Sequence, residues 1–381
     1  MIFAPSRRAG RAKPAPGGPK PAPGGAVQGH LDDLVPLVSA RAYRERWLFV
    51  AGWAALSGVD SRRATIELAL TPEGGGDARL FSTNRFRRRD VAEVLGSPEA
   101  EWAGFQALVP LSSSPPGAYR VGARLTTPGG VAWIDFARAA EVRSAPDGRA
   151  PAVRLVSVHV PKTGGESFLR ALQDLYPGRL FRDVLTEPLL PLRLRAIRWP
   201  WTRVARHLVP EDADCIHGHF LATKYERSLP GARTAMWFRE PAARLVSDFH
   251  YIRRTPMLFA EHSLQRRLQS GALDLEGFVR DGLYADLQST YLDGRSLESL
   301  DFVGIQEHFD RSMELFRRVV GVAAPVAVTP RNANPTKSIG EDYEISASLR
   351  RLVARHHPKD TVLFERARAR FEELCRAHGL G

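Results

Sequence analysis

Residues 153–168 read V-R-L-V-S-V-H-V-P-K-T-G-G-E-S-F and predict a strand, a glycine-rich turn and the start of a helix. The alternating valines Val156, Val158 and Val160 are typical of a strand, and a helix-compatible segment begins near Ser167. Backbone N–H groups at a helix start lack partners within the helix and carry the positive end of its dipole. Two glycines let the main chain close around an anion, so the stretch predicts a phosphate- or sulfate-binding turn.

The order of residues in this turn limits the chemistry it can support. Lys162 precedes the glycines Gly164 and Gly165, whereas a Walker A motif has glycine, four residues and then Gly-Lys-Ser/Thr. Nucleoside triphosphate hydrolysis is therefore disfavoured. Lys162 adds a point charge, and Thr163 and Ser167 add hydroxyl donors. The alternative interpretation is an ordinary strand-turn-helix corner that carries a chance Lys-Thr-Gly-Gly.

A second apolar strand is predicted at residues 234–238, T-A-M-W-F, followed by a helix over residues 242–254. Arg239 comes directly after the strand, and ligands of open α/β sheets bind at that carboxyl edge. Ser247 lies about two helical turns farther on. A guanidinium and a hydroxyl suit a phosphate dianion. The alternative is a local ion pair between Arg239 and Glu240.

Two histidines separated by one glycine stand in the segment D-C-I-H-G-H-F, residues 214–220. On a strand, His217 and His219 face the same side. Histidine is the natural general base near neutral pH. A metal-binding pair is the alternative.

These segments resemble the carbohydrate sulfotransferases that use PAPS, 3′-phosphoadenosine 5′-phosphosulfate. Residues 161–167 are similar to the family's 5′-phosphosulfate loop, P-K-T-G-G-T-S, with Glu166 in place of a threonine. Residues 238–247 resemble its 3′-phosphate motif, F-R-D-P-x-x-R-x-x-S, with Glu240 in place of aspartate. The H-G-H segment resembles the uronyl 2-O-sulfotransferase branch, where the second histidine is the base. The resemblance covers about residues 155–374.

The resemblance implies a sulfotransferase fold, a P-loop-like parallel sheet flanked by helices, with PAPS as co-substrate and no required metal. It implies transfer to a hydroxyl of a glycan or glycoconjugate, with His219 as base, His217 as its orienting neighbour and Lys162 stabilising the leaving phosphate. Glu166 is the second candidate for the base, because some glucosaminyl sulfotransferases use a glutamate just beyond this loop. The implied donor-binding residues are Lys162, Thr163, Gly164, Gly165, Glu166, Ser167, Arg239, Ser247 and Lys337.

Bulk composition sets wider limits. The chain has 381 residues and a formal net charge of +12, which favours an anionic partner, although a GC-rich genome would also enrich arginine. Its two cysteines, Cys215 and Cys375, require no disulfide framework. No apolar run approaches the roughly 20 residues that span a bilayer, and the N-terminus lacks a secretory pattern. We therefore expect a cytoplasmic protein without a transmembrane segment. The resemblance implies an anionic nucleotide donor and a glycan or glycoconjugate acceptor as its partners, and no nucleic acid.

The domain boundaries follow from shifts in composition. Residues 1–35 predict a disordered basic tail rich in proline and glycine. Residues 36–146 alternate like strands between turn signals and predict a small antiparallel β-sandwich. Residues 147–152 read as a linker, and residues 153–381 predict the α/β domain. Within the sandwich, the run R-F-R-R-R at residues 85–89 is either a binding surface for an acidic glycan or a solvated face.

Two other functions stay open. A small-molecule or nucleotide kinase with a variant phosphate loop would need a magnesium-binding hydroxyl and a Walker B-type aspartate. Thr163 is a candidate for the hydroxyl, but no apolar strand ends in a convincing aspartate. A non-catalytic protein that binds an acidic glycan through its β-domain is the other alternative.

Overall fold

The computed structural model describes residues 26–39, 45–143, 151–183, 207–254, 263–321 and 345–380. Within them, the strands are β1 (Val27–Ser39), β2 (Arg46–Leu56), β3 (Thr65–Pro72), β4 (Arg79–Ser82), β5 (Asn84–Phe86), β6 (Gly104–Pro110), β7 (Gly117–Thr127), β8 (Gly130–Val142), β9 (Leu155–Val158), β10 (Leu180–Asp183), β11 (Leu208–Pro210), β12 (Cys215–Gly218), β13 (Arg233–Phe238) and β14 (Phe302–Ile305). The helices are α1 (Arg89–Leu95), α2 (Gly165–Leu175), α3 (Pro241–Arg254), α4 (Ser263–Gln269), α5 (Leu275–Asp281), α6 (Leu287–Leu292), α7 (Phe309–Val320), α8 (Ala347–His356) and α9 (Pro358–Ala377).

The chain forms two compact units. The first comprises residues 1–150 and 196–211, and the second comprises residues 151–195 and 212–381.

The first unit contains two antiparallel sheets that share one apolar core. The strand orders are β11–β1–β2–β6–β5 and β4–β3–β7–β8. Alternate residues of both sheets point into the core: Leu48 and Val50 from β2, and Leu68 and Leu70 from β3, are at most 3% exposed. Burial of such alternating side chains on one face of each sheet is what holds a sandwich together. The predicted antiparallel β-domain is confirmed.

The first strand begins at Val27, inside the segment predicted as a disordered tail. The tail prediction is therefore wrong for residues 27–35, because a bulge interrupts the alternation that identifies a strand. The pairing of β1 with β2 shifts register at Asp32. Asp32 forms a 2.5 Å ion pair with Arg88, whose side chain is 5% exposed. Residues 1–25 lie outside the described residues.

A strand from the middle of the chain completes the first sheet. β11 pairs antiparallel with β1, with Leu37 opposite Pro210 and Ser39 opposite Leu208. The sequence prediction assigned all of residues 153–381 to one domain and missed this return. Three residues, L-V-P, are too few to show a periodicity.

The basic run at residues 85–89 is used inside the first unit. Arg85 donates to four backbone carbonyls. Arg87 and Arg89 both pair with Glu101, and Arg88 lies between two aspartates. Each of these charges thus has a partner within the first unit, and binding of an acidic glycan by this run stays a prediction.

The second unit is built on a five-stranded sheet in the order β10–β12–β9–β13–β14, with all neighbours parallel. The first strand of this sheet along the chain, β9, is the central one. The next two, β10 and β12, lie on one side of it, and β13 and β14 lie on the other. The carboxyl end of β9 is thus the point where the direction of winding reverses, and α/β sheets bind ligands at such points. The predicted α/β class, a parallel sheet with helices after an antiparallel β-domain, is confirmed.

Aromatic packing fixes helix α2 on this sheet. Phe168 is fully buried, with ring centroids 4.7 Å from Phe316 and 5.3 Å from Trp237. Such offset and edge-on contacts add to the burial of large apolar side chains. The start of α2 is therefore held rigidly at the carboxyl end of β9.

Candidate functional site

The turn between β9 and α2 contains two residues in the left-handed region. Gly164 precedes α2 with φ of 91°, and Lys162 has φ of 68°, which is uncommon for a residue with a side chain. Thr163 is fully buried, and its Oγ1 donates to the Val160 carbonyl at 2.9 Å. Thr163 holds the turn closed in this structure, and its contact with an anion stays a prediction.

Both glycines of the turn lie against side chains from other strand ends. A Cβ at Gly164 would clash with Oε1 of Gln306, the first residue after β14. A Cβ at Gly165 would clash with the ring of His159, which follows β9. Close approach to the His159 ring favours glycine at position 165, and the positive φ favours it at position 164. The sequence did not point to Gln306, which is remote from the turn along the chain. His159 stands in the same stretch as Gly165, but the strand pattern gives it no separate role.

Lys162 is a partly buried cation at this turn. Its Nζ lies 4.1 Å from the centroid of the Tyr251 ring in α3. Burial lowers the pKa of Lys162 to about 8, although the nearby Asp248 carboxylate raises it. The Glu166 carboxylate, in the first turn of α2, also raises this pKa. Glu166 and Ser167 are both half-buried at the start of α2.

Arg239 brings the second predicted segment to the same place. It follows β13, and its Nη1 donates to the backbone carbonyl of Lys162 at 3.1 Å. Ser247 is half-buried on α3. It lies one turn before Tyr251, so both side chains share one face of the helix. The structure thus joins Lys162 and Arg239 directly and places Ser247 on the helix face that carries the contact of Lys162.

Arg244 has a structural role on the same helix. Its guanidinium pairs with Asp248 at 2.6 Å, and the side chains are 1% and 5% exposed. Burial raises the pKa of Asp248, while Arg244 and Lys162 lower it. Both partners of this pair lie on α3, and Nη2 of Arg244 also donates to the Tyr284 carbonyl outside the helix, at 3.3 Å.

Three imidazoles meet beside the turn. The ring of His159 lies between that of His217 in β12 and that of His219, which follows the end of this strand, with centroid distances of 5.0 Å and 4.3 Å. His159 was missed by the sequence analysis. The signal that points to it is its position at the end of the central strand, next to the strand that carries the H-G-H segment.

Hydrogen bonding gives the three rings different roles. The Nδ1 of His219 lies 2.8 Å from the His159 carbonyl oxygen. Since a carbonyl only accepts, this nitrogen carries the proton, and Nε2 of neutral His219 has a free lone pair. Burial lowers the pKa of His217 to about 3. Burial also holds the pKa of His159 well below its usual value, and the nearby charges of Arg182 and Lys162 act in the same direction. Both of these histidines are therefore neutral near pH 7.

His217 is anchored inside the sheet. Its Nδ1 lies 2.8 Å from the hydroxyl oxygen of Ser157 on β9, and the residue is 3% exposed. Among the described residues, its Nε2 has no hydrogen-bond partner. The half-buried His219 is thus the member of the group that is open to a substrate.

Some sequence predictions fall outside this geometry. Lys337 lies outside the described residues. In the part of the chain that the structure describes, no three His, Cys, Asp or Glu side chains are arranged to hold a metal ion. No helix within the same ranges has the length and apolar character needed to cross a bilayer.

Comparison with known proteins gives a distant structural similarity. No protein-family model matches the chain, and no curated protein matches it. The crystal structure of mouse sulfotransferase SULT7A1 complexed with PAP matches with a TM-score of 0.29 and 14% sequence identity. The match covers 47% of this chain and 61% of the mouse chain, so less than two thirds of that structure is represented. A similarity of this size does not identify a function.

Proposed function

We propose that this protein is a sulfotransferase that moves the sulfuryl group of PAPS to a hydroxyl of a carbohydrate or glycoconjugate. The observation that supports this most directly is the hydrogen bond from Arg239 to the Lys162 carbonyl. It joins the two segments that resemble the 5′-phosphosulfate loop and the 3′-phosphate motif. A nucleotide with phosphates on both ribose ends needs two anion sites close together.

The donor's 5′ end is proposed to bind at the turn before α2. Helix α2 begins at Gly165, so the positive end of its dipole would face an anion bound at this turn. Lys162 supplies a cation, and Arg239 and Ser247 are the proposed ligands of the 3′-phosphate. Lys337 stays a predicted contact with the nucleotide.

Transfer then needs a base on the acceptor side. The acceptor oxygen forms a bond to sulfur as the bond from sulfur to the 5′-phosphate oxygen breaks. The acceptor proton passes to Nε2 of His219, whose lone pair is left free by the bond from Nδ1 to the His159 carbonyl. Lys162 and the start of α2 stabilise the charge that develops on the leaving phosphate.

His219 is preferred to Glu166 as the base because of their surroundings. The proton on the His219 ring is fixed at Nδ1 by a backbone carbonyl, which leaves Nε2 as its basic nitrogen. Glu166 stands in the first turn of α2, where its carboxylate raises the pKa of Lys162, the cation proposed for the leaving group; it is the second candidate for the base.

The donor assignment is tested by titrating the protein with PAP in a calorimeter without divalent metal. We expect binding, and we expect Lys162→Ala and Arg239→Ala to weaken it by roughly 2 to 5 kcal/mol, because a buried charge contact is lost. Absence of PAP binding together with magnesium-dependent ATP binding would favour the kinase alternative and refute this proposal.

The base is tested with sulfate-labelled donor and a panel of glycans. His219→Ala is expected to abolish transfer and to leave PAP affinity nearly unchanged. His356→Ala is the matched control, because this histidine is exposed at the end of α8. Loss of transfer in Glu166→Gln with full activity in His219→Ala would assign the base to the glutamate instead.

A further inference from the structure

Gln288 holds Arg239 by its backbone. It lies in α6, is fully buried, and its side-chain amide forms two hydrogen bonds with that one residue. The Arg239 N–H donates to Oε1 at 2.8 Å, and Nε2 donates to the Arg239 carbonyl at 2.9 Å. Side-chain bonds to both backbone groups of one residue imitate the pairing of a neighbouring strand.

The hydrogen bonds from Gln288 replace those of a neighbouring strand, because β14 stops pairing with β13 one residue before Arg239. The ladder between β13 and β14 stops at the pair Phe238 and Ile305. Arg239 is the next residue, and its backbone groups are satisfied by Gln288 instead. A buried backbone donor and acceptor must be paired, so the amide fixes the direction in which the chain leaves the sheet.

Gln288 is itself held by a rigid connection to α9. The Asp360 carboxylate accepts from the backbone N–H groups of Gln288 at 3.0 Å and Ser289 at 2.8 Å. Oδ1 of Asp286 in turn accepts from the Asp360 N–H at 3.0 Å. The two helix starts therefore cap each other, and Asp360 is 1% exposed.

We propose that Gln288 is a positioning residue that sets the preference of this site for a 3′-phosphorylated nucleotide. This rests on the proposed function, in which Arg239 binds the 3′-phosphate. Gln288 fixes the backbone from which the Arg239 side chain starts, and the Lys162 carbonyl holds its Nη1 at 3.1 Å, so the guanidinium is held at both ends. A guanidinium held in advance loses little freedom on binding phosphate, and this gain is absent for a nucleotide without that phosphate.

The test compares two ligands, PAP and adenosine 5′-phosphate, which differ in the 3′-phosphate. Gln288→Met keeps the length of the side chain and removes both hydrogen bonds. We expect roughly tenfold weaker PAP binding in this variant and adenosine 5′-phosphate affinity within about twofold of wild type. In an Arg239→Ala background, Gln288→Met should cause no further loss, because it acts through that side chain.

Gln265→Met is the matched control. Gln265 is also buried, at 4% exposure, and its side chain donates to the Ile252 carbonyl. Both variants lose a buried amide and some stability, but only the change at Gln288 should alter the ratio of the two affinities. If Gln288→Met does not fold, Gln288→Asn, which keeps the amide but is too short to reach both groups, is measured in the same way.

The outcomes distinguish a failure of the proposed donor site from a failure of the positioning role of Gln288. A wild-type protein that binds both nucleotides equally would refute the assignment of Arg239 and with it the proposed donor site. A wild-type protein that prefers PAP, with the same preference retained in the Gln288 variant, would refute the positioning role alone.

Discussion

Raising the pH from 7 to 9 is expected to weaken PAP binding through one side chain, Lys162. Burial lowers the pKa of this lysine from 10.5 to about 8, even though Asp248 raises it. A phosphate beside the lysine favours the charged form, so the pKa rises when PAP binds. Above pH 8 the free protein must therefore take up a proton to bind, and its affinity falls as the pH rises.

The size of the effect follows from the pKa. With a value of about 8, roughly 0.9 of the free protein carries a charged Lys162 at pH 7 and roughly 0.1 at pH 9. If the charged form is the one that binds, the apparent association constant follows this fraction. The expected loss is about tenfold, or about 1.4 kcal/mol. The charge of PAP is constant in this range, because phosphate monoesters titrate near pH 6.

Calorimetry in buffers with different ionisation enthalpies measures both the affinity and the protons taken up. We expect an uptake of roughly 0.9 proton per PAP at pH 9 and close to none at pH 7. Lys162→Arg is the control, because a guanidinium stays charged throughout this range. A wild-type affinity for PAP that is constant from pH 7 to 9, or a parallel loss of affinity in Lys162→Arg, would contradict the role of the Lys162 charge.

Two further changes test the packing of each unit. In Gly165→Ala, the new Cβ clashes with the His159 ring, which stacks on the ring of the proposed base, His219. The rate of sulfuryl transfer should therefore fall at least roughly tenfold. Gly231→Ala is the control, because a Cβ there enters open space, and it should keep full activity. In Arg88→Met, the buried partner of Asp32 is removed, so the free energy of unfolding in urea should drop by about 3 to 5 kcal/mol; unchanged stability would show that the pair is dispensable.

The sequence predicted the elements that local periodicity and turn chemistry determine. The strand, turn and helix of residues 153–168 appear as β9 and α2, and Arg239 follows β13 as expected. The helix begins at Gly165, two residues before the predicted start near Ser167. Alternation, glycine spacing and a proline at a helix start are all properties of neighbouring residues, so one sequence is enough to recognise them.

Long-range contacts were beyond the reach of the sequence. His159 reads as an ordinary residue at a strand end, and only the pairing of β9 with β12 brings it between His217 and His219. Gln288 reads as a helical residue, although it contacts Arg239 across 49 positions. Contacts between a side chain and a distant backbone have no period, so they become visible only when the order of the strands is known.

The return of β11 to the first sheet affects how the chain folds while it is being synthesised on the ribosome. Ser39 of β1 cannot pair until Leu208 of β11 has been synthesised, about 170 residues later and after β9, α2 and β10. Until then the edge of β1 presents unpaired backbone groups that invite pairing with another nascent chain. The same connection means that neither unit can be transplanted by a single cut at the linker, because a continuous fragment removes a strand from one sheet or carries a surplus strand into the other.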